Sequence, residues 1–189
     1  MSESALISCG LFSDDDAEPM IRRDPEELES NAYRLGEALR AQGMRMATAE
    51  SCTGGWIAQT ATAIPGSSDW FDRGYVTYSN RAKIQVLGVS ERTLETYGAV
   101  SAQTVSEMVV GALVAAGVEV AVAVTGVAGP DGGTKEKPVG TVWFGWCLRN
   151  RDPVTRVTHF EGDRRSVRAQ TVAVALDGLR DLICAAGAP

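Results

Sequence analysis

The run Val118-Glu119-Val120-Ala121-Val122-Ala123-Val124-Thr125-Gly126-Val127-Ala128-Gly129 decides the architecture of this 189-residue chain. Val118–Val124 is almost wholly apolar, without the alternation of a half-buried strand. A strand of that kind is buried on both faces, as in parallel sheets covered by helices on each side. The glycine-rich stretch behind it is then a loop at the carboxyl edge of the strand, where open α/β sheets bind ligands.

Working outward, Ser101 caps a helix that runs to Gly117, and a smaller helix covers Ser90–Tyr97. Arg73-Gly74-Tyr75-Val76-Thr77-Tyr78 is rich in strand formers, and Ser79 or Asn80 caps a short helix that carries Lys83 and stops near Gly88. Met44–Ala49 reads as a strand, followed by a turn and a helix over Thr53–Ala63 that Ile64-Pro65-Gly66 ends. Asp24-Pro25-Glu26-Glu27 combines an N-cap, a first-turn proline and a capping-box acid ahead of Leu28, Ala32, Leu35 and Leu39 on one helical face, with Gly43 as the stop. Downstream, strands over Gly140–Leu148 and Val154–Phe160 precede a helix from Arg164 to Ala185. Val167, Thr171, Val174, Leu179, Leu182 and Ile183 form its apolar side. The alternation predicts an α/β protein: a three-layer α/β/α sandwich with a mixed sheet, in a single domain over residues 24–189.

Charge separates the remainder. The net charge is −6, and residues 1–24 hold six of the acids against two bases, so the body is nearly neutral. Residues 1–23 therefore read as a flexible acidic extension. An acidic chain with no basic stripe is a poor match for a phosphate backbone, so no nucleic-acid partner is expected. No apolar run is long enough for a bilayer and no secretory start is present, so a cytoplasmic protein without membrane partners is expected. The cysteines at 9, 52, 147 and 184 form no C-x-x-C pair, and His159 is the one histidine. Neither a zinc site nor a Ser-His-Asp triad is suggested, and chemistry without metal or cofactor is the expectation.

Thr48-Ala49-Glu50-Ser51-Cys52-Thr53-Gly54-Gly55 places hydroxyls, a thiol and paired glycines between a strand and a helix. Ser51 there is either a helix cap or a nucleophile, with neighbouring helix amides available to an oxyanion. Cys52 and Thr53 compete for the nucleophile's role, although a small buried thiol is the plainer reading of Cys52. A serine alcohol needs a base, and a lysine in the first turn of a helix is held toward its neutral form by the helix dipole. Lys83 fits if it is not simply a solvated surface lysine, with Tyr78 beside it to relay a proton or hydrogen-bond the amine. Glu50 can orient a substrate or stand as a strand-end charge. Thr125-Gly126-Val127-Ala128-Gly129 offers several backbone N–H groups to an anion. Gly162-Asp163-Arg164-Arg165 at a helix start adds guanidinium groups suited to phosphate, unless Asp163 is only a cap beside solvated arginines.

These motifs, with Gly66-Ser67-Ser68, Tyr75–Asn80, Gly98-Ala99-Val100-Ser101, Pro130-Asp131-Gly132-Gly133 and Lys137–Val142, resemble the CinA C-terminal domain family, the nicotinamide-nucleotide amidases. The resemblance spans residues 26–184. It implies hydrolysis of nicotinamide mononucleotide to nicotinate mononucleotide and ammonia within pyridine-nucleotide recycling, with no cofactor. Ser51 would be the nucleophile and Lys83 its base, assisted by Tyr78. Glu50, Thr53, Gly54, Gly55, Thr125, Gly126, Ala128, Gly129 and Arg164 would line the substrate site, Arg164 at the phosphate. The implied partner is a small nucleotide, and the apolar helices together with the resemblance point to a homodimer. Competing expectations are an amidase or esterase for another small nucleotide, and a nucleotide-binding regulatory module without turnover. The longer relatives' additional N-terminal domain, with its pyrophosphatase activity, is not expected here.

Overall fold

The computed structural model describes residues 25–186, so the acidic extension and the Asp24 cap lie outside the described residues. Helix α1 covers Pro25–Ala41 and is followed by β1 (Met46–Glu50), α2 (Trp56–Thr62) and β2 (Phe71–Val76). Then come α3 (Asn80–Leu87), α4 (Glu91–Tyr97), α5 (Ala102–Ala116) and β3 (Val120–Gly126). The chain closes with β4 (Thr141–Leu148), β5 (Val154–His159) and α6 (Arg164–Ala186). No described helix is long and apolar enough to cross a membrane.

The sheet order is β2-β1-β3-β4-β5. β1 runs parallel to β2 and to β3, whereas β4 is antiparallel to both of its neighbours. Each side of this mixed sheet carries its own core, as the three-layer reading requires. Val120, Val122 and Val124 of β3 face Leu28, Leu35 and Leu39 of α1 and Val172, Leu176 and Leu179 of α6. Ala121 and Ala123 face the other way, with Val105, Met108, Val109 and Ala112 of α5 and Leu94 of α4. Large residues on one face and alanines on the other follow from the period-2 alternation of a strand. The alanine face, with Gly145 of β4, lets α5 lie close to the sheet. A Cβ at Gly145 would sit 3.0 Å from the Val105 carbonyl oxygen.

Element boundaries shift where backbone geometry overrides composition. α2 starts at Trp56 instead of Thr53, because Gly54 and Gly55 have φ of +62° and +97°, a left-handed conformation that ends one element before the next begins. β2 stops at Val76, which leaves Thr77 and Tyr78 in the link to α3. Along α6, Val167, Thr171, Leu179 and Ile183 are buried, while Val174 and Leu182 only flank the core. Trp70 is fully buried and packs against Gly36 of α1, and Trp146 donates from its indole to the Ala175 carbonyl at 2.9 Å. His159 lies exposed on the edge strand β5.

Strand register places the site. Glu50 pairs with Val76 on one side and with Val124 on the other, so the next residues, Ser51, Thr77 and Thr125, emerge together at one edge. β5 reaches that edge too, because two antiparallel steps restore the direction of β3. The start of α6, with Arg164, therefore arrives beside them.

Candidate active site

Ser51 follows β1 directly and its N–H donates to the Val124 carbonyl at 3.1 Å, which pins the residue to the sheet. Its hydroxyl oxygen lies 3.1 Å from the Lys83 Nζ. Ser79 caps α3, its hydroxyl accepting from the Ala82 N–H at 3.1 Å, so Lys83 stands in the first helical turn. The amine folds back toward the sheet, is only 1% exposed, and donates to the Thr77 carbonyl at 2.9 Å. Burial lowers its pKa from the ordinary 10.5, since an ammonium here has given up water for two neutral partners. The solvated-lysine reading is thus replaced by a buried amine beside an alcohol.

The neighbouring candidates are committed elsewhere. The Thr53 hydroxyl donates to Glu50 at 2.7 Å. Cys52 is buried, and burial pushes its thiol up to about 12, far from a thiolate at neutral pH. Glu50 is fully buried and does not face a substrate. Its oxygens accept from the Thr53 hydroxyl, from the Gly55 and Ile57 N–H groups at 3.0 Å each, and from the Ala58 N–H at 2.8 Å. The Thr48 hydroxyl adds a fifth donor at 3.3 Å. The expectation of a substrate-pairing acid is corrected: this carboxylate closes the N-terminus of α2, where free helix amides need acceptors.

Tyr78 also differs from its expected place. It is 61% exposed, and its hydroxyl accepts from the Arg164 guanidinium at 2.9 Å instead of reaching the lysine. Arg164 donates as well to the Gly129 carbonyl at 2.8 Å, so it clasps Tyr78 to the loop after β3. The backbone carbonyl of Thr77 occupies the position beside the amine that had been expected for the phenol. Thr125 is buried and donates its hydroxyl to the Ala99 carbonyl at 2.8 Å. Gly129 has φ +82°, and a Cβ there would lie 2.6 Å from Val139.

Two adjoining cavities result. The smaller, 220 Å³, is lined by Ser51, Cys52, Lys83, Tyr78, Thr125 and Gly126, with Ala99 and Val100. The larger, 1010 Å³, is bounded by Gly54, Gly55, Trp56, Gly129, Arg165 and Arg168, among others. Ala128 and Arg164 belong to both. Of the expected site residues, Thr53 and Glu50 line neither. Arg168 and Trp56 were missed, although three arginines in the opening turns of a helix, where the dipole disfavours cations, are a readable anomaly.

Comparison with known proteins identifies the family. Residues 28–183 match the CinA C-terminal domain model. A nicotinamide-nucleotide amidohydrolase PncC from Escherichia coli K12 is 54% identical over 153 residues, covering 81% of this chain and 93% of its own. The protein of the same name from Pseudomonas putida is 56% identical over 151 residues, covering 80% and 94%. A crystal structure of a CinA superfamily protein from Klebsiella pneumoniae superposes with TM-score 0.81 at 40% identity, covering 84% of this chain and 98% of that one. With the domain matched across its whole folded body, this chain belongs to the CinA C-terminal domain family.

Proposed function

We propose that the chain is a nicotinamide-nucleotide amidase that converts nicotinamide mononucleotide to nicotinate mononucleotide and ammonia through an acyl-enzyme on Ser51. The observation that carries the reading is the buried Lys83 amine 3.1 Å from the Ser51 hydroxyl at the wall of a cleft. The names of relatives at 54% and 56% identity supply the substrate.

Neutral Lys83 takes the Ser51 proton on its lone pair while an N–H stays on the Thr77 carbonyl. The alkoxide adds to the carboxamide carbon and charge gathers on the carbonyl oxygen. The Gly54 N–H is engaged by the Ser51 carbonyl at 3.1 Å and the Gly55 N–H by Glu50, so the oxyanion donors are the Cys52 and Thr53 amides. Lys83 then passes its proton to the departing nitrogen, the C–N bond breaks, and ammonia leaves a nicotinoyl ester. Water repeats the sequence: its proton goes to Lys83, its oxygen joins the acyl carbon, and Ser51 leaves with the proton returned. The ring occupies the smaller cavity, and the ribose phosphate passes Arg164 into the larger one.

Ammonia release from nicotinamide mononucleotide tests the reading, with release expected in the wild type and lost in Ser51→Ala. Tight binding without release in the wild type overturns it. Cys52→Ala keeps its backbone amide and is expected to retain most of the turnover. A dead, folded Cys52→Ala alongside an active Ser51→Ala reverses the assignment of nucleophile.

The pH dependence has a definite sign. The base works unprotonated, so kcat/KM climbs with pH and levels off above the folded value of Lys83, which lies below 10.5. The unfolded chain holds this proton to higher pH than the native one. Stability on this residue's account therefore also rises with pH between the lowered folded value and 10.5. A rate that falls between about pH 6 and about pH 9 contradicts a neutral-amine base.

A further inference from the structure

Arg164, Arg165 and Arg168 stand in the first two turns of α6 and all line the larger cavity. Among the described residues none of the three is ion-paired. Asp163, the one carboxylate on that wall, accepts the Ser166 N–H at 2.7 Å and serves as the helix cap. A chain of net charge −6 thus concentrates three uncompensated guanidinium groups around one cavity of 1010 Å³. Arg164 and Arg165 are exposed and Arg168 is half-buried, so their like charges converge on an open cavity and raise the local concentration of an anion there.

Arg168 is distinct from the other two. Its guanidinium lies over the Trp56 ring at 5.3 Å and donates one N–H to the Thr53 carbonyl at 2.6 Å. That carbonyl belongs to the turn that carries Ser51. The Nε of Arg168 is buried with no acceptor, so this fork is only partly satisfied by the protein. One side chain therefore touches both the nucleophile turn and the cationic cavity, and it has donors left over.

We propose that Arg168 is a specificity-determining residue: it takes the phosphomonoester end of the substrate with its spare donors while holding the Thr53 carbonyl, so the substrate's anion steadies the turn that carries Ser51. The preference for the phosphorylated substrate in the amidase reading then runs through Arg168. The kinetic form of this inference rests on the amidase reading; the anion site itself does not.

The test compares kcat/KM for nicotinamide mononucleotide and for nicotinamide riboside in the wild type, Arg168→Gln and Arg168→Lys, with calorimetric binding of ribose 5-phosphate and of ribose in parallel. Arg168→Gln is expected to cut the preference for the nucleotide by about 10- to 100-fold, the worth of a charge-assisted hydrogen bond, and to weaken ribose 5-phosphate at least about 10-fold. Arg168→Lys keeps the charge but not the fork, should fall between, and serves if the glutamine variant does not fold. Equal losses on nucleotide and nucleoside, with ribose 5-phosphate binding unchanged, overturn the proposal and leave Arg168 as a brace for the turn. A wild type that releases no ammonia yet binds ribose 5-phosphate in an Arg168-dependent way sinks the amidase and upholds the anion site.

Discussion

Lys83→Met is expected to lose about 10⁴-fold or more in kcat while the melting temperature holds or rises. The two halves of that result come from one fact. The Lys83 side chain is 1% exposed, and burial lowers its pKa because the ammonium has little to replace water. Methionine has similar length, fills the same space and removes the ionisable group, so the desolvation cost goes with it. What it cannot supply is the lone pair 3.1 Å from the Ser51 hydroxyl. The alcohol is left with no base, and the loss matches that of a nucleophile–base pair acting as a unit. Single-turnover ammonia release and thermal unfolding on the same preparations check the prediction. Activity within tenfold of the wild type would remove Lys83 from the mechanism. Inactivity accompanied by a large fall in melting temperature would make the amine a structural group.

Glu50→Ala should give the largest loss of stability of any change near the site, about 3–5 kcal/mol, or roughly 10 °C in melting temperature for a chain of this size. Five donors converge on this fully buried carboxylate, three of them backbone amides at the entry to α2. Removing it strands those groups away from water, and a stranded donor costs its full desolvation. Glu50→Gln keeps the shape but turns an NH₂ toward N–H groups, so it should lie between wild type and alanine. Because α2 starts from the same turn that follows Ser51, kcat should fall with stability. A melting temperature within about 2 °C of wild type would show that water satisfies these donors.

Much of the fold was legible because local signals agreed with one another. The apolar Val118–Val124 run, the serine caps at 79 and 101 and the glycine stops at 43, 88 and 117 all fall at element cores or ends. Boundaries moved at Gly54-Gly55, where two left-handed residues delay a helix that composition alone would start at Thr53. The candidate site was legible in its residue types, but less so in who touches whom. Tyr78 and Lys83 are five apart in sequence, yet the phenol turns outward to Arg164 while the amine turns inward to Ser51.

The sequence by itself determined the three-layer architecture and the mixed sheet's buried strand, and it put Ser51 and Lys83 forward as candidates beside Cys52 and Thr53, because periodicity, caps and the scarcity of histidine are local or compositional properties. Only the tertiary structure decided that Glu50 belongs to α2, that the Thr77 carbonyl stands where Tyr78 was expected, and that Arg168 bridges cavity and turn. Those outcomes depend on strand register and helix entry angle, which bring residues 32 and 115 positions apart into contact. No local pattern encodes such pairings, since they arise only when separate elements pack against the same sheet edge.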